Sequence, residues 1–393
     1  MSRRFSTLTV LSLCALVALA LNLRSPLTAI PPVIGEIRAD LGMDAAQAGA
    51  LTSIPVLCFG VLTPLASLLI ARIGLRSAIV VTLAGAGIGI LFRPYAGAEG
   101  MIGGTLLIGA SLAVGNIVSL MVIARDFPSH AGIITGLYTS ALNIGTMMTG
   151  ALTAPLAGLI GWRAALASWV WIAILALLLW VWVGRRQAAA SSSATIRPQP
   201  VIPAAISPCR SRIVWLLAAA FLLHVTLYYT ITAWLPAYLA DAGGMSPTQA
   251  GLVSSAFQIL ALLGSFGVPL MARLLPLNRQ LAVMGTLWFI TPLWILAAPG
   301  HWPFWSLTGG ITQGGTFVVI FTLIMRYAGT LDENRRLSSI VQGVGYSVAS
   351  AGPVAAGFLH DLSGGWNAVF LPLAALALGV IAIGLMVAKT GKA

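Results

Sequence analysis

The sequence predicts an all-α membrane protein with twelve transmembrane helices in two pseudo-symmetric six-helix bundles. Three observations lead to this fold class: an apolar composition, apolar runs of membrane-spanning length, and an internal repeat. Of the 393 residues, 59% are hydrophobic and only 8% are charged, whereas soluble domains average about 25% charged residues. The runs are too long and too free of strict alternation for a membrane β-barrel, so the spans are predicted to be helices.

Loop chemistry divides the chain into twelve candidate spans, each near the roughly 20 residues that a helix needs to cross the hydrocarbon. They cover residues 8–33, 47–70, 77–95, 101–123, 132–158, 163–184, 212–239, 248–272, 280–298, 303–325, 338–359 and 366–388. The first run exceeds a signal-peptide core and has no convincing cleavage site, so we expect it to stay in the mature chain.

The basic residues predict the orientation of the chain in the membrane. A net charge of +12 would suggest nucleic acid as a partner in a soluble protein. With the loops taken in alternation, however, seventeen of the twenty-one Lys and Arg residues fall on one side, the exceptions being Arg24, Arg38, Arg93 and Arg163. The positive-inside rule therefore places both termini in the cytoplasm.

The longest polar interruption separates six spans from six. It runs from Arg185 to Arg212 and contains an Ala/Ser run and four prolines, a composition typical of a flexible or extended linker. The predicted domains are an N-terminal bundle over residues 1–184, a cytoplasmic linker over 185–211 and a C-terminal bundle over 212–393.

An internal repeat relates the two predicted bundles. Gly42-Met43 and Gln47-Ala48-Gly49 recur 202 positions later as Gly244-Met245 and Gln249-Ala250-Gly251, between the first and second spans of each half. A second block, in the fifth spans, recurs 207 positions later and pairs Gly136, Ser140, Gly145 and Gly150 with Gly343, Ser347, Gly352 and Gly357. Two blocks in register favour duplication over chance.

The repeated glycines predict close contacts between helices. Small residues let helix backbones approach and slide, and in a duplicated carrier such faces are where the halves would rock. Gly136, Gly145, Gly343 and Gly352 are therefore candidates for gating or for packing, and the two interpretations are compatible.

Arg24 is the leading candidate for a substrate contact. It lies about 25 Å along a helix that enters the bilayer near Thr7, where a lipid-facing charge is costly. One interpretation is structural, an ion pair or a carbonyl cap beside the helix break that Pro26 and the following prolines would cause. The other is a substrate contact, since a guanidinium holds its charge and offers forked donors to planar anions.

Other polar side chains inside the spans are few and are expected to converge on a cavity or on one another. His224 and Tyr228 are four residues apart, hence on one helical face, and His224 is as compatible with a buried neutral imidazole as with a ligand role. The remaining candidates for substrate binding are Asn116, Gln313, Gln342 and Tyr346.

Enzymatic, cofactor and metal sites are not predicted. The three cysteines, Cys14, Cys58 and Cys209, lack the spacing of metal ligands. Apparent nucleophiles have no activating His and carboxylate. Asp126 and Asp361 lie only near span ends, so a carboxylate proton relay is disfavoured; His224 is the one obvious substitute, and facilitated diffusion or anion exchange is the alternative.

Several stretches resemble the cyanate and nitroimidazole transporter (CynX/NimT) branch of the major facilitator superfamily. They are Leu21-Asn22-Leu23-Arg24-Ser25-Pro26, the segment 49–57, Gly115-Asn116 with Arg125-Asp126-Phe127-Pro128, Trp234-Leu235-Pro236, Gln342-Gly343-Val344-Gly345-Tyr346, and Gly357-Phe358-Leu359-His360-Asp361. The resemblance implies the major facilitator fold, a multi-pass protein of a bacterial inner membrane, and a monomeric carrier whose partners are a small-molecule substrate and membrane lipid.

One departure from the superfamily concerns the loop between the second and third spans. The superfamily motif reads Gly-x-x-x-Asp-Arg-x-Gly-Arg-Arg, whereas this chain has Ser67 and Ala71 at the first glycine and the aspartate, followed by Arg72. A cytoplasmic charge latch would be weaker or made differently, with Asp126 as one candidate.

The resulting functional prediction is a secondary active or facilitative transporter that moves a small anion or anion-like solute, cyanate-like or a small carboxylate, by alternating access. The alternative is an exporter of neutral or weakly basic drug-like compounds such as nitroimidazoles, with Arg24 in a structural role.

Overall fold

The computed structural model describes residues 7–43, 45–191 and 211–389. Within these ranges the chain is helical almost throughout and contains no strand. The all-α prediction is therefore confirmed. Most of the predicted linker, residues 185–211, lies outside the described residues, as does Cys209, so the predicted domain boundaries stay a prediction.

The described helices are numbered in chain order. Helices α1 to α8 cover Thr7–Thr28, Ile34–Leu41, Ala45–Val61, Thr63–Phe92, Gly97–Asp126, Ala131–Ile160, Trp162–Ser168 and Val170–Ser191. Helices α9 to α16 cover Arg212–Asp241, Pro247–Ile259, Ala261–Met271, Leu277–Ala297, Trp302–Tyr327, Leu331–Ala349, Gly352–Ser363 and Asn367–Ala388. Short 3-10 turns at Pro31–Val33, Pro128–His130 and Pro299–His301 each begin with proline, whose missing N–H is tolerated at the start of a helix.

The described residues contain nine helical stretches long and apolar enough to cross a membrane. They correspond to all the predicted spans except the second, fifth and eleventh. These three are helical too: the second is divided between α3 and the start of α4, the fifth is α6, and the eleventh is divided between α14 and α15.

Each divided span breaks beside a proline. Pro64 stands in the first turn of α4, which begins after Leu62, so α3 does not continue into α4. Gly74, between the second and third predicted spans, takes a positive φ of 79° inside α4, a conformation that glycine adopts without the steric cost a Cβ brings. Pro353 stands in the first turn of α15 and cannot donate a backbone hydrogen bond to the turn before it, so α14 does not continue into α15.

Backbone contacts group the described helices into two compact units. The first unit comprises residues up to 129, residues 144–211 and the short segment 330–336; the second comprises residues 130–143, 212–329 and those from 337 onward. Helix α6 therefore contributes its first half to the second unit and its second half to the first.

The core of the first unit includes a cluster at the end of α1. Ile30, Val33 and Ile37 are buried there with Trp162 and Trp169. Trp162 Nε1 also donates to Asp40 Oδ2 at 2.8 Å. The chain after α1 thus stays packed against α7 instead of running free into a loop.

The internal repeat is visible in the backbone. Gly42 and Gly244, which are equivalent in the sequence repeat, both adopt φ of 62°, so each half turns in the same left-handed conformation before its second predicted span. The duplicated glycines of the second block also make corresponding contacts. A Cβ on Gly145 would meet Leu21 of α1, and one on Gly352 would meet Thr226 and Thr230 of α9.

Candidate functional site

Arg24 lies late in α1, in the first unit. Its side chain is half-buried, and its guanidinium carbon stands 5.3 Å from the centre of the Phe59 ring, a residue that is fully buried on α3. A cation over an aromatic face gains about 0.5–2 kcal/mol, more where water is excluded. The arrangement holds a permanent positive charge partway inside the unit.

Hydroxyl side chains donate hydrogen bonds to backbone carbonyl oxygens of α1 around Arg24. Thr28 Oγ1 donates to the Arg24 carbonyl oxygen at 3.1 Å and lies 2.7 Å from Thr149 Oγ1 of α6. Ser25 Oγ donates to the Leu21 carbonyl oxygen. These bonds supply donors to carbonyls just ahead of the point where Pro26 disturbs the helix.

Arg93, directly after α4, caps the end of α1. It is 1% exposed, and its Nη2 donates to the Pro26 carbonyl oxygen at 2.7 Å. A cation near a helix C-terminus also interacts favourably with the helix dipole. The carbonyl-cap role that the sequence left open for Arg24 is thus performed by Arg93. The sequence did indicate that Arg93 is buried, because this residue lies inside the predicted third span, residues 77–95.

Asn116 is buried in the first unit, as are Asn22 and Thr82. Among the described residues, each of the three has a side-chain donor or acceptor without a hydrogen-bond partner. Gly115, the neighbour of Asn116, lies close to Leu23 and Thr82, because a Cβ on it would meet both. Unsatisfied buried polar atoms are rare and call for water or ligand, so Asn116 has a donor suited to a polar solute.

His224 is buried on α9, in the second unit. Trp288 Nε1 of α12 donates to His224 Nδ1 at 3.2 Å, and Trp288 is itself fully buried. A neutral imidazole whose Nδ1 accepts carries its hydrogen on Nε2, so the group His224 can offer is an Nε2–H donor. Protonation of Nδ1 would break the bond from Trp288.

Aromatic rings bring two of the predicted residues together. The Phe221 ring lies 6.3 Å from His224 and 5.2 Å from Tyr346, measured between centroids. Tyr346 is buried, and its ring meets Phe221 edge-on. Tyr228, in contrast, is half-buried and packs against Tyr229 at 4.8 Å, and Tyr229 in turn lies 6.5 Å from Tyr346.

Gln313 is part of a side-chain hydrogen-bond chain in the second unit. Gln313 Nε2 donates to Gln258 Oε1 at 2.7 Å, and Gln258 Nε2 donates to Thr232 Oγ1 at 3.2 Å. The chain joins α13, α10 and α9. Gln258, which is not among the candidates from the sequence, is thus the bridging member. Gln342 is buried on α14, and its Nε2 has no hydrogen-bond partner in the described part of the chain.

The predicted gating residues occupy tight helix contacts. A Cβ on Gly136 would collide with the Ser265 carbonyl oxygen of α11, within the second unit, and Gly145 and Gly352 meet α1 and α9 as described above. Gly343 is buried on α14. Close packing is thus observed at the first three positions, and sliding at any of them stays a prediction.

The predicted latch residues are placed differently from each other. Arg72 is exposed on α4. Asp126 pairs with the neighbouring Arg125, whose Nε lies 2.6 Å from its Oδ1. A separate contact involves the departure noted at Ser67: Arg335 Nη1 donates to the Ser67 carbonyl oxygen at 2.8 Å and also to its hydroxyl. The sequence carried no signal for this pairing across 268 positions.

Asp332 supplies the countercharge for this contact. Its carboxylate pairs with Arg335 and with Arg336 on the next turn of α14. Burial alone raises the pKa of the Asp332 carboxyl, but the hydrogen bonds and charges of the two arginines outweigh it, so the net pKa lies below its usual value.

Metal ligands do not cluster in the part of the chain that the structure describes. No group of three or more His, Cys, Asp or Glu side chains there is arranged to hold an ion. Cys14 and Cys58 are free thiols, the first exposed and the second buried.

The duplicated long helices, with polar and charged side chains buried inside them, define a multi-pass membrane protein of the carrier type. The chain belongs to the Major Facilitator Superfamily, whose family model matches residues 10–351. The resemblance seen in the sequence motifs is therefore confirmed.

Three bacterial relatives match the chain over most of its length. The uncharacterized transporter YycB of Bacillus subtilis is 30% identical over 94% of this chain and 90% of its own. The 2-nitroimidazole transporter of Escherichia coli is 28% identical over 96% of this chain and 95% of its own. The cyanate transport protein CynX of Escherichia coli is 28% identical over 90% of this chain and 91% of its own.

The fold is also similar to a solved structure. FucP, a Major Facilitator Superfamily transporter crystallised in the outward conformation, superimposes with a TM-score of 0.71 at 15% identity, covering 97% of this chain and 99% of FucP. The similarity supports the major facilitator fold predicted from the sequence.

Proposed function

We propose that this protein is a monomeric secondary transporter that moves a small anion or anion-like solute across a bacterial inner membrane by alternating access. The observation that carries the proposal is Arg24, a permanent cation held half-buried over the Phe59 ring, late in the first membrane-spanning helix. Charges at such positions are costly in lipid and usually mark a substrate or ion pathway.

The chemistry of Arg24 favours an anionic or strongly accepting solute. A guanidinium remains charged at physiological pH and presents several N–H donors in a fixed plane. In the part of the chain that the structure describes, the acidic residues lie near helix ends. A solute with electron-rich oxygen or nitrogen atoms would find a fixed positive charge at Arg24.

The two named relatives support a solute of this kind. One is a cyanate transport protein and the other a 2-nitroimidazole transporter. Cyanate is an anion, and a nitro group presents two partly negative oxygens, so both solutes offer acceptors that a guanidinium can bind.

The other candidates would add directional hydrogen bonds. We assign Asn116 and the Nε2–H of His224 as donors, Tyr228 and Tyr346 as an aromatic wall, and the amides of Gln313 and Gln342 as further partners. Because Trp288 occupies Nδ1 of His224, a donor role suits this residue better than a proton-carrier role. Facilitated diffusion or exchange driven by solute gradients is then the coupling that we favour.

Substitution of Arg24 tests the proposal. We expect Arg24→Ala and Arg24→Lys both to reduce uptake of radiolabelled cyanate into proteoliposomes by more than about thirtyfold, because neither retains the planar fork of donors. Arg38→Ala, which removes an exposed arginine from α2, should leave uptake unchanged. Monodisperse elution of each variant would show that it is folded. Wild-type uptake by Arg24→Ala would reject the proposal.

A second candidate function is export of neutral or weakly basic compounds such as nitroimidazoles, favoured by the similarity to the 2-nitroimidazole transporter. Growth of deletion and overexpression strains on 2-nitroimidazole separates the two. Sensitisation by deletion, together with undiminished anion uptake in the deletion strain, would favour export and leave Arg24 with a structural role.

A further inference from the structure

The buried face of α9 is open at its centre. Residues 221, 225, 228, 232, 235 and 239 recur at spacings of three and four, so they form one stripe along the helix. Tyr228 and Thr232, in the middle of the stripe, are only half-buried. The members on either side of them are buried, with exposures of 3% or less: Phe221, Val225, Leu235 and Leu239. The stripe is therefore closed at both ends and accessible at Tyr228 and Thr232, within the second unit.

Thr232 is one end of the side-chain hydrogen-bond chain that runs through Gln258 to Gln313. The bond from Gln258 Nε2 to Thr232 Oγ1 is 3.2 Å long, and both of these side chains are half-buried. Gln313, at the other end of the chain, is 6% exposed, and its Nε2 donates to Gln258 Oε1 at 2.7 Å. Gln313 therefore fixes the orientation of the Gln258 amide, and the more accessible end of the chain is the Gln258–Thr232 pair.

The pair has two donor hydrogens that the protein does not use. An amide nitrogen carries two hydrogens and a hydroxyl carries one. Gln258 Nε2 spends one hydrogen on Thr232, and the Thr232 oxygen is the acceptor of that bond. Among the described residues neither side chain makes a further hydrogen bond beyond the bond from Gln313. One N–H of Gln258 and the O–H of Thr232 therefore remain for a ligand.

The hydroxyl of Thr232 differs in this respect from that of another threonine on the same helix. Thr226 Oγ1 donates to the Leu222 carbonyl oxygen, four residues earlier, at 2.8 Å. Such a bond to the preceding turn is the usual one for a threonine inside a helix. Thr232 makes no bond of this kind in the described part of the chain, so its hydrogen is not bound to the backbone of α9.

Two neighbouring donors suit a ligand with two neighbouring acceptors. The donor atoms, Gln258 Nε2 and Thr232 Oγ1, stand 3.2 Å apart. A carboxylate or a nitro group carries two oxygens on one atom, so each oxygen can accept from one of the donors. A linear anion such as cyanate has its acceptors at opposite ends and brings only one of them to the pair. Two parallel bonds add geometric specificity as well as energy.

We propose that Thr232 and Gln258 bind a solute group with two oxygens on one atom, which is a carboxylate or a nitro group. Thr232 Oγ1–H donates to one oxygen, the second N–H of Gln258 donates to the other, and Gln313 positions the Gln258 amide. The inference rests on the proposed function, because it narrows the solute of the same carrier to compounds with such a pair of oxygens.

Thermal unfolding of the purified full-length protein with increasing concentrations of formate or cyanate tests the proposal. The two anions have the same charge and the same number of non-hydrogen atoms, but formate alone carries two oxygens on one carbon. Because a bound ligand stabilises the folded state according to its affinity, the series gives an apparent dissociation constant for each anion. We expect formate to bind about tenfold more tightly than cyanate, the value of one additional hydrogen bond to a charged group.

Variants of Thr232 test the assignment of the donor. Thr232→Val keeps the shape of the side chain and removes the O–H, so it should abolish the preference for formate, and Thr232→Ser should retain it. Thr286→Val is the matched control, because Thr286 is exposed on α12 and its hydroxyl donates to the Ala282 carbonyl oxygen. This control should show the preference of the wild type. A loss of stability alone would affect both anions equally and leave their ratio unchanged.

Binding of 2-nitroimidazole distinguishes the two forms of the group and separates this inference from the proposed function. The compound carries a nitro group on an uncharged ring. Weaker formate binding by Thr232→Val identifies a carboxylate, and weaker 2-nitroimidazole binding identifies a nitro group. The second result would stand even if Arg24→Ala kept wild-type uptake and anion transport were rejected. The proposal is overturned if Thr232→Val changes the binding of neither ligand, which includes the case in which the wild type binds neither.

Discussion

At the scale of the residue, two arginines in the first unit show how position decides the use of a charge. Arg93 is buried and donates to the Pro26 carbonyl oxygen, so its charge is used within the fold. Arg24 is only half-buried and lies over the Phe59 ring. An aromatic face stabilises a cation electrostatically. The charge of Arg24 is therefore held partway inside the unit, where the proposed anionic solute would meet it.

His224 shows the same point for a titratable side chain. From the sequence it was the residue that could best carry a proton. In the structure its Nδ1 accepts a hydrogen bond from Trp288, a fully buried residue 64 positions away. The bond holds one tautomer and favours a fixed donor over a proton carrier. Trp288 itself carried no sequence signal of this role.

Asp332 gives a pH-dependent prediction at this scale. Because its folded pKa lies below the unfolded value of about 4, its contribution to stability is fully present above that unfolded value. The contribution is lost as the pH falls through the lower, folded pKa. Since the carboxylate is exposed, we expect Asp332→Asn to lower the unfolding free energy at neutral pH by about 1 kcal/mol or less, and the difference from wild type to vanish in acid.

Thermal unfolding in detergent across a pH series measures this difference. Glu333→Gln is the matched control, because it removes the same charge from the same turn of α14 and leaves the bonds of Asp332 to Arg335 and Arg336 in place. A deficit of Asp332→Asn that stayed constant into acid, or that equalled the deficit of the control, would contradict the assignment.

At the scale of the element, α6 and the eleventh predicted span depart from a simple membrane-spanning helix. Helix α6 is continuous but belongs to both units, and Gly136 and Gly145 meet different neighbours along it. The eleventh span is divided before Pro353. Hydrophobic length predicts where a helix crosses a membrane, but backbone-to-backbone contact and the missing N–H of proline decide its continuity.

Two glycines on α6 provide a matched test of these contacts. A Cβ on Gly145 would lie 2.5 Å from the Leu21 carbonyl oxygen, whereas a Cβ on Gly150 meets nothing within 4 Å. We expect Gly145→Ala to lower stability by about 1–3 kcal/mol through overpacking. Gly150→Ala should be neutral or slightly stabilising, because alanine favours the helix.

Thermal unfolding of the two variants in the same detergent distinguishes them, and proteoliposome uptake then reports on gating. If both alanines changed stability equally, the close approach of α6 to α1 at Gly145 would not be what determines the stability. Loss of uptake by Gly145→Ala with unchanged stability would favour the gating interpretation over packing.

At the scale of the whole molecule, duplication explains features that are otherwise unrelated. Gly42 and Gly244 share one left-handed conformation, and Gly145 and Gly352 meet the first long helix of their respective units. The same backbone turn and the same kind of helix contact therefore occur in both halves. This is expected when one sequence has been duplicated and the two copies have kept their backbone structure while their sequences diverged.

The orientation of the chain is the prediction at this scale. Because seventeen of twenty-one basic residues fall on one side, we expect both termini to be cytoplasmic. A C-terminal green fluorescent protein fusion should fluoresce and a C-terminal alkaline phosphatase fusion should be inactive. Phosphatase fused after Tyr95, between the third and fourth predicted spans, should be active. The reverse activities would show that the charge count misassigned the sides.

Much of the fold could be predicted from the sequence, and less of the site. Apolar run length predicted the helices, because the bilayer imposes the same length on every span. The repeat predicted the pairing of Gly145 with Gly352. The candidate residues were found because polar side chains are rare in these spans. Their partners were not, since Trp288, Gln258 and Phe59 are ordinary residues whose importance arises only from contact.

The sequence by itself determined that this chain is a duplicated, multi-pass helical protein of the Major Facilitator Superfamily, with a permanent charge in its first span. Composition and the internal repeat suffice for the duplicated helical architecture, because they report how each segment partitions between water and lipid. The resemblance of the motifs to the superfamily indicated the family. Only the tertiary structure decided that Arg93 caps α1, that Trp288 binds His224, and that Gln258 joins Gln313 to Thr232. Hydrogen bonds depend on distances of a few ångströms between residues far apart in the chain, and no single segment contains that information.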